Sequence, residues 1–128
     1  MDERTRRRLA GGGLCDITTT GARSGRPHRV ELYFHALDGE FLITGRPSDR
    51  TRDWLANLRA HPQFTLHLKD MGADLPAVAT EITDPAERDD ALTRIRTRSW
   101  DVDHRKVMET NGDWVARAPL VRFTVEGA

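Results

Sequence analysis

Alternating apolar and polar residues recur along the chain and predict short β-strands. In residues 29–35 apolar side chains stand at every second position, which is typical of a strand with one buried face. Asp38 and Gly39 separate this segment from the next apolar run, and an Asp-Gly pair in that place favours a tight hairpin. The same reasoning predicts strands at residues 14–20, 29–35, 40–44, 63–68, 77–82 and 120–125.

The apolar spacing becomes helical after the third predicted strand. Trp54 and Leu58 are four residues apart and fall on one helical face, so a helix is predicted over about residues 50–60. Ser48 or Asp49 can cap this helix, because each offers a side-chain oxygen to the first free N–H groups. A helix is therefore expected between the third and fourth strands.

A second helix is predicted after the fifth strand. Asp84 precedes a proline, a pair that favours a helix start, and the helix is expected over residues 85–98. Residues 99–119 show no clean period, and their pattern indicates at most a short third helix that ends near Asn111.

The order of these elements favours a small barrel with two or three flanking helices. Short connections between successive strands suit antiparallel pairing and argue against a doubly wound parallel sheet. Residues 1–13 combine a cluster of charges with three glycines, and nothing in them demands burial. They are predicted to be a mobile or weakly helical arm in front of a single domain, residues 14–126.

Composition narrows the class of protein. At 128 residues, with 38% hydrophobic and 31% charged residues, the chain has the size and balance of one packed domain. No apolar stretch approaches the roughly 20 residues that span a bilayer, and no secretory signal is visible, so a cytoplasmic protein is expected. The formal net charge is zero, which argues against nucleic acid as a partner. The single cysteine cannot form an internal disulfide, and the five histidines lack metal-binding spacing.

An arginine-rich turn between the first two strands is the main candidate for chemistry. Gly21 and Gly25 permit backbone conformations in which successive N–H groups point into one concavity, as a phosphate or polyanion requires. The side-chain donors in this turn are Arg23, Ser24, Arg26 and Arg29. A hairpin loop with solvated arginines is the alternative. No helix follows directly, so the turn is neither a Walker loop nor a dinucleotide-binding loop.

Two blocks of this sequence resemble the deazaflavin-dependent nitroreductase family. They are TTTGARSGRPHRVELYF and DGEFLITGRPSDRTRDWLANLRAHPQFTL, and the resemblance covers residues 14–82. It implies a split β-barrel similar to that of flavin reductases and pyridoxamine phosphate oxidases. It also implies F420, an 8-hydroxy-5-deazaflavin with a phosphate and an oligoglutamate tail, whose hydride passes to quinones, nitro compounds or other conjugated acceptors.

The resemblance assigns cofactor binding to particular residues of this chain. Those expected to contact the tail, or to shape its loops, are Gly21, Arg23, Ser24, Gly25, His28, Arg29, Gly45, Arg46, Arg50 and Arg52. Trp54 and Asn57 match the second block, and both also have structural alternatives: Trp54 in the core, and Asn57 as a partner for a loop carbonyl. No catalytic side chain is required, because the cofactor carries the hydride chemistry.

The sequence also departs from its relatives. Ala22 stands where many of them have arginine, and Tyr33, the single tyrosine, lies within a strand pattern. The tyrosines that some nitroreductases offer to a substrate are therefore missing. Two alternatives stay open: a reductase of the same fold that binds FMN, and a split-barrel module that binds an anionic ligand without turnover. A homodimer is also left open.

Overall fold

Six strands form a closed antiparallel barrel in the computed structural model, which describes all residues, 1–128. The strands are β1 (Gly13–Thr20), β2 (Pro27–Leu37), β3 (Glu40–Thr44), β4 (Gln63–Leu68), β5 (Ala73–Glu81) and β6 (Leu120–Val125). They follow the order β1-β2-β3-β6-β5-β4, and β4 closes onto β1. The predicted antiparallel barrel is confirmed. Its largest boundary differences lie at β2 and β5, which are longer than their alternating segments.

The barrel interior holds the main hydrophobic core. The ring of Phe123 in β6 lies 5.9 Å from that of Phe34, 5.4 Å from that of Phe41 and 5.4 Å from that of Phe64, measured between ring centroids. Cys15 belongs to the same core, and burial raises the pKa of its thiol to about 12. A smaller apolar cluster joins the outer face of the barrel to the last helices, which therefore have a core of their own.

Four α-helices pack on the barrel: α1 (Glu3–Gly11), α2 (Asp53–Ala60), α3 (Pro85–Arg94) and α4 (His104–Arg117). One turn of π-helix, Ile95–Ser99, follows α3 directly. None of these helices has the length and apolar character that crossing a bilayer requires.

The first helix is the one that the sequence pattern did not specify. Asp2 caps α1 by accepting a hydrogen bond from the Thr5 N–H at 2.8 Å. Leu9 is only 1% exposed and belongs to the barrel core. The expectation that nothing in residues 1–13 demands burial is therefore wrong, because a single leucine among charged residues gives no periodic signal.

The start of α2 also differs from the prediction. Neither Ser48 nor Asp49 caps it, and the Ser48 hydroxyl instead accepts a hydrogen bond from the Arg50 N–H at 3.1 Å. The cap position belongs to Arg52, which makes no side-chain capping bond. Residues 45–52 therefore form a loop that leads into the helix.

The last helix is longer than expected because of its contacts with α3. Asn111 is only 5% exposed, and its amide donates to the Asp89 carboxylate at 2.5 Å and to the Thr93 hydroxyl at 3.2 Å. These bonds stabilise α4 so that the helix continues past Gly112, where the sequence predicted its end. At its start, α3 follows the prediction, since Asp84 caps it.

The barrel is split beside the first half of β2. Residues 27–34 pair with β1 alone, whereas only residues 35–37 pair with β3, whose other edge pairs with β6. His28, Val30 and Leu32 share the β2 face that continues the buried face of β1, yet none of the three is buried. An uncovered strip of β2 therefore faces the split.

Candidate functional site

A groove of about 720 Å³ occupies the split, a size within the range of small-molecule sites. Val30 and Leu32 give it an apolar floor, and α2 contributes Trp54 and Asn57. Of the residues expected from sequence, the groove is lined by His28, Arg29, Arg50, Arg52, Trp54 and Asn57. Trp54 also packs against the main core, as one of the two alternatives from the sequence expected, and its contact with a cofactor stays a prediction.

Asn57 joins α2 to the turn between β1 and β2. Its Oδ1 accepts a hydrogen bond from the Ala22 N–H at 2.9 Å, and its Nδ2 donates to the Thr19 hydroxyl at 3.0 Å. The side chain is buried, with only 6% of the residue exposed. Asn57 therefore holds a backbone N–H of the turn, where the sequence alternative was a carbonyl, and it still borders the groove.

The arginine-rich turn is organised by its own hydrogen bonds. The N–H of Gly21 donates to the Arg26 carbonyl at 2.8 Å, and the N–H of Gly25 donates to the Gly21 carbonyl at 3.0 Å. The Arg26 N–H donates to the Ser24 hydroxyl at 3.1 Å. The expectation of successive N–H groups converging on a ligand is therefore wrong for most of this turn, because these groups are already paired.

The glycines of this turn have structural reasons to be glycine. A Cβ on Gly21 would collide with the Ser24 hydroxyl and lie 2.8 Å from Nε2 of His28. Gly25 has a φ of +68°, which disfavours other residues. Together they let the turn fold back so that Arg23 lies exposed at its tip. The turn joins β1 and β2 at the end that borders the groove. None of its predicted site residues lines the groove: Gly21, Arg23, Ser24 and Gly25.

Arg52 holds the loop that contains Gly45 and Arg46. Its guanidinium donates to the Arg46 carbonyl at 2.9 Å and covers Gly45 so closely that a Cβ there would lie 3.1 Å from it. The backbone N–H groups of Gly45 and Arg46 make no hydrogen bond within the protein. These two residues also lie outside the lining of the groove, next to it along the chain.

The cations around the groove differ in whether they are paired. Arg29 pairs with Asp16 at 2.7 Å, and the Lys69 and Arg29 side chains hold the pKa of the Asp16 carboxyl below its usual value. No ion pair engages Arg23, Arg26, Arg46, Arg50 or Arg52. These positive charges remain available to an anionic ligand.

Sequence reasoning missed the apolar floor and part of the rim. The missed lining residues are Thr19, Val30, Glu31, Leu32, Thr44, Ser48 and Asp53. The alternation in β2 correctly places Val30 and Leu32 on one face. It carries no signal that β3 leaves that face uncovered, because the departure of β3 is a property of the sheet.

The groove contains no nucleophile paired with a base. A row of hydroxyl, imidazole and carboxylate does occur elsewhere: the Thr18 hydroxyl lies 2.6 Å from Nε2 of His67, and Nδ1 of His67 lies 2.6 Å from the Asp74 carboxylate. None of the three borders the groove. The row links β1, β4 and β5 to one another.

Several solved structures share this fold. A conserved hypothetical protein from Mycobacterium tuberculosis is 18% identical with a TM-score of 0.66, covering 98% of this chain and 81% of that one. An F420-H2 dependent reductase is 21% identical with a TM-score of 0.59, covering 89% and 94%. A pyridoxinephosphate oxidase family protein from Clostridium acetobutylicum is 16% identical with a TM-score of 0.61, covering 98% and 87%. At these identities the likeness shows the fold, a split barrel of the pyridoxamine phosphate oxidase type.

The family itself is shown by sequence. No curated protein matches this chain. Residues 2–113, however, match the family described as F420H(2)-dependent quinone reductase. The resemblance to deazaflavin-dependent enzymes is therefore confirmed, and the cofactor is F420, with no need for FMN. The chain belongs to the F420H(2)-dependent quinone reductase family and is an oxidoreductase.

Proposed function

We propose that the groove in the split holds F420H2 and that the enzyme reduces a small conjugated acceptor there, such as a quinone, a nitro compound or an enone. One observation carries the proposal: the groove joins an uncovered apolar floor to two arginines without ion pairs, Arg50 and Arg52, beside the paired Arg29. A flat ring system with an anionic tail is the kind of ligand that needs both features in one place.

The residues present fit such a ligand. Val30, Leu32 and Trp54 offer apolar surface to the ring system. Arg50 lines the groove, and Arg46 and Arg23 stand near its edges, where a phosphate and carboxylates gain charge-assisted hydrogen bonds. Free N–H groups at Gly45 and Arg46 add donors beside them.

The chain's own tasks are binding, orientation and exclusion of water. F420H2, when bound, supplies the hydride, so the protein needs no acid-base pair of its own. The bond from Asn57 to the Ala22 N–H and the bond from Arg52 to the Arg46 carbonyl hold the two loops that flank the groove. Fixed loops lower the entropy that ligand binding would otherwise cost.

A pair of matched valine variants tests the assignment of the groove. Val30 is 36% exposed on the groove floor, whereas Val78 is 45% exposed on β5, outside the groove. Val30→Glu puts a carboxylate against the expected ring and tail, and we expect binding of F420 to fall at least tenfold, with loss of quinone reduction. Val78→Glu should leave both unchanged.

The readouts are the dissociation constant of F420, from fluorescence titration, and anaerobic oxidation of F420H2 with a quinone, a nitroarene and an enone in parallel. The acceptor class is the one with the highest kcat/KM. Equal F420 affinities in the two glutamate variants, both folded, would place the cofactor outside the groove.

A further inference from the structure

A second cavity lies farther along β2. It has a volume of about 610 Å³ and shares no lining residue with the groove. The backbone of Gly11–Gly13 forms one side, β2 contributes Tyr33–Leu37, and the end of the π-helical turn contributes Arg98–Trp100. The groove ends at Leu32 and this cavity begins at Tyr33, so β2 borders two separate cavities.

His35 is a buried polar group without a partner in this cavity. The residue is only 6% exposed, and its Nε2 is completely buried without a hydrogen bond. The other buried histidine, His67, is bonded at both ring nitrogens. Buried polar side chains nearly always have partners, so an exception indicates a missing ligand, a strained group or a functional role.

The protonation state of His35 limits what such a ligand can be. Burial lowers the pKa of His35 to about 4, so the imidazole is neutral near pH 7 and offers one N–H donor and one nitrogen acceptor. The one charged side chain that lines the cavity, Arg98, is held by the Asp38 carboxylate at 2.7 Å. The cavity therefore suits an uncharged molecule that can both donate and accept a hydrogen bond.

The walls favour a planar ring. Trp100 is 39% exposed and its ring centroid lies 5.3 Å from that of His35, edge to face. Tyr33 is 59% exposed on the same cavity, and the glycines beside β2 place no side chain in it. Tyr33 and Trp100 therefore offer aromatic surface to the cavity, against which another aromatic ring gains contact area.

The π-helical turn places Trp100 over His35. The Trp100 N–H closes this turn by donating to the Ile95 carbonyl at 3.1 Å. Single π turns occur frequently at functional sites. Trp100 is 39% exposed at the end of the turn and also contacts Trp114, with ring centroids 5.6 Å apart, so its indole moves aside only by giving up that contact.

We propose that this cavity binds an uncharged phenol, with the phenolic hydroxyl bonded to a ring nitrogen of His35 and the ring packed against Trp100. The site is separate from the cofactor groove and does not depend on F420. A phenol satisfies the orphaned imidazole in either tautomer, since its hydroxyl both donates and accepts.

The test compares phenol with anisole, which keeps the ring and the oxygen but has no O–H to donate. Calorimetric titration of the native protein should show phenol binding about tenfold more tightly than anisole, the value of roughly one hydrogen bond. In parallel, the ¹⁵N resonances of the His35 ring should shift with phenol. His35→Phe keeps an aromatic ring, and in that variant the preference for phenol should disappear.

His28→Phe, on the groove side of β2, is the matched control and should keep the preference. Equal affinities for phenol and anisole in the native protein, or His35 ring resonances that stay fixed at saturating phenol, would overturn the proposal and leave the imidazole packed against Trp100 without a ligand. Both of these measurements use the native chain, so the proposal remains testable even if His35→Phe does not fold.

Discussion

Arginines on two sides of the molecule are used in opposite ways. Beside the groove, Arg23, Arg46 and Arg50 are exposed and make no ion pair. On the side of α3 and α4, Arg94 pairs with Asp90, Asp38 and Glu40, and Arg117 pairs with Asp113 and Asp49. The same residue type therefore ties the last two helices to neighbouring strands and loops on one side and remains free for an anion on the other.

The difference lies in the partners that the fold supplies. Arg88 of α3 is only 8% exposed and donates to the carbonyls of Ile82, Val115 and Ala118. An arginine in that position cannot leave its partners for a ligand. Arg23, Arg46 and Arg50 have no such partner to lose, so binding an anion to them removes no existing side-chain bond.

Arg88→Met should produce the largest effect, because it removes the donor from those carbonyls while keeping most of the side-chain volume. We expect the free energy of unfolding to fall by about 3–5 kcal/mol, as for a buried polar network that loses one member. Urea denaturation measures it. Arg105→Met, an exposed arginine 3.8 Å from Glu109, is the control and should change stability by less than about 0.5 kcal/mol. If Arg88→Met loses as little stability as Arg105→Met, the contrast between the two sides of the molecule is wrong.

His35 should make stability depend on pH. Its pKa is about 4 in the folded protein against 6.5 ordinarily, so the unfolded chain takes up a proton first as the pH falls. Stability is therefore full above pH 6.5 and is lost between pH 6.5 and 4, by at most about 1.4 kcal/mol per pH unit and roughly 3 kcal/mol in total. His35→Phe should flatten this part of the curve in denaturation series at pH 7, 5.5 and 4.5. If the stability of the native protein and that of His35→Phe fall in parallel over this pH range, His35 is not the group responsible for the pH dependence.

Asn57→Ala should lower both the stability of the fold and the affinity of the groove for F420. The change leaves the Ala22 N–H and the Thr19 hydroxyl without their partner, at an expected cost of about 1–3 kcal/mol. Asn57→Asp keeps the acceptor for the Ala22 N–H and should lose less. Thermal unfolding and F420 titration of both variants measure the two effects. If Asn57→Ala weakens F420 binding without loss of stability, Asn57 is a ligand contact alone.

Arg50→Ala should affect the cofactor and leave the fold unchanged. Because Arg50 lines the groove without an ion pair, we expect about tenfold weaker F420 binding, the value of one charge-assisted hydrogen bond, with apo stability unchanged. Arg23→Ala, at the tip of the turn outside the groove lining, should cost less, about threefold. Turnover at saturating cofactor should stay unchanged in both variants, since the lost contact stabilises the ground state and the transition state equally. If Arg23→Ala weakens F420 binding more than Arg50→Ala does, the anionic tail of F420 lies closer to the turn than to Arg50.

Much of the barrel was predictable because strand alternation is a local property. Residues 40–44, 63–68 and 120–125 have the predicted strand bounds. α1 was harder to predict, since its place depends on one buried leucine, and the length of α4 depends on bonds from Asn111 to α3. Both are tertiary effects that override local signals.

The site was predictable only in part, for a similar reason. The family motifs identified His28, Trp54 and Asn57, which line the groove, as does Arg50, which was expected at the tail together with other arginines outside the matched motifs. They could not indicate that Gly21 serves close packing, or which arginines lack a carboxylate. Pairing depends on which strands and helices meet in space, and that information is spread over the whole chain.

The salt dependence of cofactor binding tests the central claim most directly. F420 and FMN are titrated into the native apo-protein at low and at high ionic strength. Unpaired arginines at the groove predict that F420, with its longer anionic tail, binds more tightly than FMN at low salt and that this preference shrinks as salt screens the exposed charges. Equal affinities for the two cofactors at low salt, or retention of FMN alone on purification, would contradict the account.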